Sequence, residues 1–379
     1  MPRFPFYKPY LGGAFSQLPI MDKAILMAKL ELCNTGELSA EFIRRSLSEG
    51  LEQAGGLLFG QSTGTSGNRG YYVISEKERY VWLGTILAKT LPDALLRKHR
   101  VAIALPGMSS LYSAANAGGR ISLAFFDTTA GIHTWEDDLA RFAPDTIVAP
   151  PKALRYLADR GKLTATNIFS GAEILDPLDR EVIERVTGVT MREIYMATEG
   201  LLGVSCPHGS LHLAEDVVHF EWEDAVPGGA LKKPIITDFT RGAQAMVRYR
   251  MNDLLELSDA PCPCGSVFQR VKAVHGRADD IFLLPNASGE MVTITPDILR
   301  NTIIDADGAI SDFRAVQTAR DHIRIELPSA VPKQVRLTVE SDLASALTRL
   351  GAQARITTIS GIATDIAKKL RRVRREWRE

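Results

Sequence analysis

Val101-Ala-Ile-Ala-Leu105, Ile121-Ser-Leu-Ala-Phe-Phe126, Asp145-Thr-Ile-Val-Ala-Pro150, Thr166-Asn-Ile-Phe-Ser-Gly171 and Val189-Thr-Met-Arg-Glu-Ile-Tyr-Met-Ala197 recur through the middle of the chain. Each is short, mostly apolar and bounded by turn residues, the pattern of strands buried on both faces. Helical stretches lie between them: Thr134–Phe142, Pro151–Asp159 and Pro177–Thr187. Strands alternating with helices predict parallel βαβ units, hence an α/β fold. Upstream, residues 20–55 read as helices. Ile20–Leu32 carries apolar residues at helical spacing, and Ser39 is a candidate cap for Ala40–Ala54. From Leu211 onward the pattern becomes antiparallel, over Leu211–Asp224, Gly229–Phe239, Ala245–Arg250 and Leu254–Asp259. A charged, turn-like stretch, His275-Gly-Arg-Ala-Asp-Asp280, precedes a smaller α+β segment. This predicts two domains, 1–278 and 279–379.

Composition agrees with a globular protein. The 379 residues are 45% hydrophobic and 24% charged, which excludes disorder for the bulk and allows a sizeable core. Lys+Arg and Asp+Glu both number 45, and a zero balance argues against a general nucleic-acid coat. Four cysteines are too few for a disulfide scaffold at this length. The N-terminus lacks a continuous apolar run of the secretory kind, and the uncharged run Val101–Gly119 is interrupted by Pro106 and Gly107. The expectation is a cytoplasmic protein with no membrane span.

Three motifs carry chemistry. Gly60–Gly70 places four glycines and four hydroxyl residues in eleven positions. Glycines let backbone N–H groups approach an anion, and the hydroxyls add donors for phosphate oxygens. No Gly-Lys-Ser/Thr follows at the Walker A spacing. Next, Glu193-Ile-Tyr-Met-Ala-Thr-Glu199 follows a strand-like run. A threonine hydroxyl suits a phosphate oxygen, and a carboxylate suits Mg²⁺. Third, Asp253 and Arg277 supply a carboxylate for a ribose diol and a guanidinium for phosphate.

In this order the motifs resemble the adenylate-forming superfamily of acyl-CoA synthetases and adenylation domains, and most of all its phenylacetate-CoA ligase branch. The likeness runs from Leu18-Pro-Ile-Met-Asp-Lys23 to the last ten residues. It implies a large N-terminal α/β domain with a parallel-strand core and an antiparallel portion, and a small mobile C-terminal α+β domain. It also implies residue roles. Ser62, Thr63, Gly64, Thr65, Ser66 and Gly67 match the loop that clamps the ATP phosphates. Gly171, Ala172 and Glu173 match the segment lining adenine. Tyr195 matches the aromatic near adenine, followed by Met196 and Ala197. Thr198 matches the α-phosphate contact, Glu199 the Mg²⁺ ligand, Asp253 the ribose acid and Arg277 the nucleotide arginine. Asp279-Asp280 match the hinge, and Lys369, with Lys368 one place away, the lysine that enters the site during adenylation. The family loop carries Lys after its last glycine, where this chain has Asn68 and then Arg69.

The implied reaction is ATP- and Mg-dependent activation of a carboxylic acid, best an aromatic one, as its acyl-AMP. Pyrophosphate leaves, and CoA is the expected acceptor. An acyl-carrier protein, an amine, or nitrite activation for N–N bond formation are the alternatives, as is a non-catalytic nucleotide-binding relative. The acid pocket is expected from Ala104–Tyr112, Phe125–Phe126, Ser170–Ala172 and Tyr195–Ala197. A homodimer is compatible with the branch.

The cysteines divide into a lone Cys33, read as a core residue, and two clusters, Cys206-Pro-His208-Gly-Ser-Leu-His212 and Cys262-Pro-Cys264. The spacing fits a closed Cys₃His zinc site, with free thiols or a redox pair as the other readings. Some members of the resembled branch hold structural zinc on such residues, and His212 matches their histidine better than His208. The implied ligands are Cys206, His212, Cys262 and Cys264. The tail 368–379 holds seven Lys or Arg. A solvated helix end is the bland reading; beyond Lys369 the tail is expected rather to meet the phosphates of CoA or an acidic carrier protein, with no nucleic acid bound.

Overall fold

A computed structural model describes residues 3–62, 70–106, 119–362 and 370–378. A twelve-stranded sheet organises the first three quarters of the chain. One half is parallel, in the order Ile121–Asp127, His99–Leu105, Thr146–Ala149, Asn167–Ser170 and Met191–Ala197. The other half is antiparallel and continues through Gly200–Ser205, Leu211–Leu213, Arg270–Arg277, Asp253–Ser258, Leu231–Asp238 and Val218–Asp224. Met191–Ala197 is the junction: it pairs parallel with one neighbour and antiparallel with the other.

Both faces of the parallel half are covered, as its apolar strands require. Ala102 and Ala104 face a core with Leu154, Leu157 and Ile183 from the helices Pro151–Asp159 and Pro177–Thr187. Val101 and Ile103 face the opposite side, with Leu87 and Leu91 at the end of the helix Glu76–Thr90. The two crossover helices match their predicted limits. Pro stands at the first turn of each, Asp176 accepts from Leu178 N at 2.9 Å, and Gly188 ends the second at φ +67°.

Elsewhere the helical expectations shorten. Within Ile20–Leu32 only Lys23–Ala28 is α-helical, followed by a 3-10 turn at Leu30–Leu32. Met21 is held extended by two backbone bonds, its N–H to Arg248 O and its O from Arg250 N. Ser39 does cap the next helix, but that helix stops at Ser48, because Gly50 adopts φ +77° and Gln53–Ala54 join a small antiparallel sheet. Thr134–Phe142 is a 3-10 turn and then a helix from Glu136. Leu211–Asp224 divides into two strands around a turn. Ala245–Arg250 reduces to Tyr249–Arg250, since Arg248 takes φ +47°. Among the described residues no helix is long and apolar enough to cross a membrane.

Residues 282–352 pack around a core of their own, with Phe282, Phe313, Ile325 and Leu343 at its centre. Its sheet runs Arg355–Ser360, His322–Leu327, Arg314–Ala319 and Val373–Arg375. Within the tail, Val373–Arg375 is therefore a strand, not a solvated helix end. Arg372 is buried between Asp179 at 2.8 Å and Asp312 at 2.7 Å, and Arg300 reaches Asp176 at 3.1 Å. These carboxylates join the small sheet to the start of the crossover helix Pro177–Thr187. Burial pushes the Asp176 carboxyl up, but Arg300, Arg372 and the Leu178 N–H together hold it below its usual range.

Candidate active site and a Cys/His cluster

Because five strands run parallel, their C-terminal ends share one edge, where α/β sheets take ligands. Three expected segments lie at that edge. Gly171-Ala172-Glu173 follows Asn167–Ser170, with Ala172 held at φ +65°. Glu173 is a buried carboxylate whose Oε1 lies 3.1 Å from Lys152 Nζ, and Lys152 comes from the first turn of the helix Pro151–Asp159 that follows the neighbouring strand. Tyr195, Met196 and Ala197 end the junction strand, and Thr198 and Glu199 form the turn into Gly200–Ser205.

The antiparallel half brings its own contribution to the same place. Asp253 and Arg277 are opposite one another in neighbouring strands. Tyr195 donates its phenolic O–H to Asp253 Oδ2 at 2.7 Å. Burial and this carboxylate push the Tyr195 phenol well up, so it stays a neutral donor that fixes the Asp253 carboxylate. Tyr249 donates to the Glu199 carboxylate in the same way. Burial pushes the Glu199 carboxyl up; the Tyr249 hydrogen bond and Lys23 oppose this, and Asp253 adds to it. Two carboxylates in a half-dry setting favour an added cation. Lys23, Ser62, Gly70, Thr198, Glu199 and Tyr249 line one cavity.

The Gly-rich segment joins two paired strands, Leu57–Gln61 and Tyr71–Ser75. Its base is closed twice: Ser62 N donates to Gly70 O at 2.7 Å, and Gly70 N to Ser62 Oγ at 2.9 Å. Ser62 keeps its own O–H as a donor. Thr63, Gly64, Thr65, Ser66, Gly67 and Asn68 lie outside the described residues, as do Lys368 and Lys369. Just after Lys369, Arg371 pairs with Asp280 in the hinge-like turn Ala278–Asp280.

Part of the expected acid pocket is corrected. Ala104 and Phe126 are core residues: Phe126 packs on Trp135 with ring centroids 5.3 Å apart. Strand alternation turns Phe125 to the opposite face. Ser170, Gly171 and Ala172 remain at the sheet edge, and 107–112 lie outside the described residues.

A second constellation lies at the far ends of the antiparallel strands. Cys206 follows Gly200–Ser205, His212 is the middle residue of the next strand, Leu211–Leu213, and Cys262 and Cys264 lie in the turn between Asp253–Ser258 and Arg270–Arg277. The six residues of Gly200–Ser205 separate this cluster from Glu199 by about 20 Å at a strand rise of about 3.4 Å. The four ligand atoms all lie within 4.8 Å of one another. Cys206 Sγ is 3.7 Å from Cys262 Sγ, and Cys264 Sγ is 3.4 Å from His212 Nε2. A tetrahedral zinc with Zn–S of about 2.3 Å and Zn–N of about 2.0 Å gives edges of roughly 3.5–3.8 Å. His212 Nδ1 lies 3.0 Å from Phe268 O, which fixes the tautomer that leaves Nε2 free to ligate. The backbone N–H of Cys264 and the Ser210 hydroxyl draw the Cys262 thiol down to about 5, toward the thiolate a metal needs. His208 is not in the cluster. Cys33 is fully buried, as expected of a core residue.

Lys23, Lys152 and Tyr249 carried no assigned role in the sequence. Tyr249 stands between two arginines in Arg-Tyr-Arg, but nothing local points to its partner fifty positions away.

No family profile matches the chain. Phenylacetate-coenzyme A ligase of Thermus thermophilus is 26% identical over 135 residues, 35% of this chain and 26% of that protein, so the match spans about a quarter of that relative's length. Among solved structures, 2-hydroxyisobutyryl-CoA ligase in the postadenylation state with 2-HIB-AMP aligns with a TM-score of 0.70 at 18% identity, over 99% of this chain and 86% of that one. Anthranilate CoA ligase AuaEII with anthranoyl-AMP aligns at a TM-score of 0.57 and 13% identity, over 82% and 65%.

Proposed function

We propose, for a chain that has the adenylate-forming fold and resembles the phenylacetate-CoA ligase branch, that it activates a carboxylic acid with ATP and passes the acyl group to a thiol. The carboxylate oxygen attacks the α-phosphorus, the bond to the bridging oxygen breaks, and pyrophosphate leaves with the electron pair. The thiol then attacks the acyl carbon, and AMP leaves. The observation that carries this reading is the convergence of Ser62, Thr198, Glu199 and Tyr195-bound Asp253 with Arg277 at one sheet edge.

Such chemistry needs little covalent help. Positioning and charge neutralisation supply most of the acceleration. Thr198 and the Gly-rich loop hold phosphate oxygens, Asp253 holds the ribose diol, and Arg277 faces the phosphates. A Mg²⁺ bound by Glu199 would neutralise phosphate charge. Gly171, Ala172, Glu173, Met196 and Ala197 border adenine and the acid. Lys369 enters the site for the adenylation step. CoA is the acceptor and an aromatic acid the substrate, on the strength of the branch alone. The Cys/His cluster holds one structural zinc, because four protein ligands leave no open position for chemistry.

The first test is Mg·ATP-dependent pyrophosphate release against benzoates, phenylacetates, cinnamates and short fatty acids, each with and without CoA. Release with one aromatic group, quickened by CoA, is expected. No release, together with no thermal stabilisation by ATP or AMP, would overturn the reading. Asp253→Ala should weaken ATP binding roughly 10- to 100-fold, the worth of hydrogen bonds to a charged group. Unchanged affinity in a calorimetric titration would place the ribose elsewhere.

A further inference from the structure

The core of the parallel half and the core of the small domain share no residue. What joins the two at the crossover helix Pro177–Thr187 is charge. Arg300 Nε and Nη2 each donate to one oxygen of Asp176, both at 3.1 Å, the forked geometry of a strong pair. Arg372 Nη1 donates to Asp179 at 2.8 Å, and its Nε donates to Asp312 of its own domain at 2.7 Å. The Arg372 and Asp179 side chains are 9% and 5% exposed, so this contact is closed from water. Its place in the chain matters. Asp176 stands three residues after Glu173, in the segment that begins at the sheet edge, and Arg372 stands three residues after Lys369. Three residues span at most about 11 Å. The ion pairs therefore tie the end of the tail to the edge where the nucleotide is proposed to bind.

We propose that Arg300 and Arg372 are positioning residues: through Asp176 and Asp179 they hold the small domain in its adenylating arrangement, and release of these pairs admits the thiolysis step. The inference rests on the adenylating reading above. An apolar interface would hold the domain for good, because its separation exposes surface that water does not repay. Buried ion pairs behave differently. Each partner regains its hydration on separation, which offsets much of the lost attraction. Such a contact can form and break once in each turnover. While it is formed, the tail is kept beside the sheet edge, and the lysine it carries acts at a high effective concentration.

The test measures the two half-reactions separately in the full chain, as wild type, Arg300→Gln, Arg300→Lys and Asp179→Asn. Arg300→Gln should lower the ratio of pyrophosphate release to thiolysis of preformed acyl adenylate roughly tenfold or more, the worth of hydrogen bonds to a charged group. Arg300→Lys keeps the charge but loses the fork, and should fall between it and wild type. Should Arg300→Gln not fold, Asp179→Asn weakens the contact from the other side and should shift the ratio the same way. Small-angle X-ray scattering supplies a readout independent of activity. Wild type should fit the domain arrangement described here, and Arg300→Gln should depart from it. Equal losses in both half-reactions, an unchanged ratio, or a variant that scatters as wild type does would overturn the proposal. A wild-type chain that releases no pyrophosphate with any acid overturns the adenylating reading instead, and the scattering comparison still decides whether these side chains hold the domain.

Discussion

Lys369→Ala should suppress acyl-adenylate formation by about a hundredfold or more, yet leave thiolysis of a preformed acyl adenylate within a few-fold of wild type. Removing one preorganised charge from a developing transition state costs roughly 10²–10³ in rate. The adenylation transition state gathers charge on the α-phosphate and the attacking carboxylate, where a lysine ammonium acts. The second half-reaction expels AMP after that charge has settled and does not need the same group. The flanking structure supplies the leverage. Arg371 pairs with Asp280, Arg372 is buried against Asp179 and Asp312, and Val373–Arg375 is paired with Arg314–Ala319. The chain on one side of Lys369 is thus anchored both to the small sheet and to the crossover helix. The two half-reactions are measured separately, by pyrophosphate release and by AMP release from synthetic acyl adenylate. Equal losses in both would remove Lys369 from its proposed role.

The second large effect is expected at the cysteine cluster. Elemental analysis should find one zinc per chain, and Cys264→Ser should lose it. Structural zinc binds with roughly 10–16 kcal/mol, comparable with the whole stability of a domain. Its loss frees the turn Asp259–Gln269 and the Cys206–Ser210 turn, and the melting temperature should fall by about 10 °C or more. Cys33→Ala is the control. It touches the N-terminal core and should cost stability through a cavity while leaving the zinc content at one. A metal-free wild type of unchanged stability in chelator would leave four thiol and imidazole groups held together by packing alone.

The elements that local chemistry specifies were legible in the sequence. Pro151–Asp159 and Pro177–Thr187 begin with proline, and the second has an aspartate cap before it and a glycine after it, so their limits depend on a few neighbouring residues. The parallel strands were legible because strands buried on both faces are apolar throughout. Ala40–Ala54 was overextended because Gln53 and Ala54 are recruited by a strand partner, which no helical pattern registers. Phe126 looked like a pocket residue by composition, but strand alternation assigns it to the core.

The same division holds for the site. The order of the Gly-rich loop, Thr198-Glu199, Asp253, Arg277 and the two cysteine clusters is carried by the chain itself, because glycine, carboxylate, hydroxyl and thiolate each suit one kind of chemistry. Their assembly is not. Tyr195 meets Asp253 only because Met191–Ala197 is the strand at which the sheet changes from parallel to antiparallel. Cys206 meets Cys262 only because two hairpins end at the same level of that sheet. Lys23 reaches the Gly-rich loop only because Met21 is bonded to the strand region around Tyr249. Local motifs persist in sequence since they depend on residue type and short spacing. Partnerships across fifty or two hundred positions depend on strand order and register, which arise only when the whole sheet is buried at once.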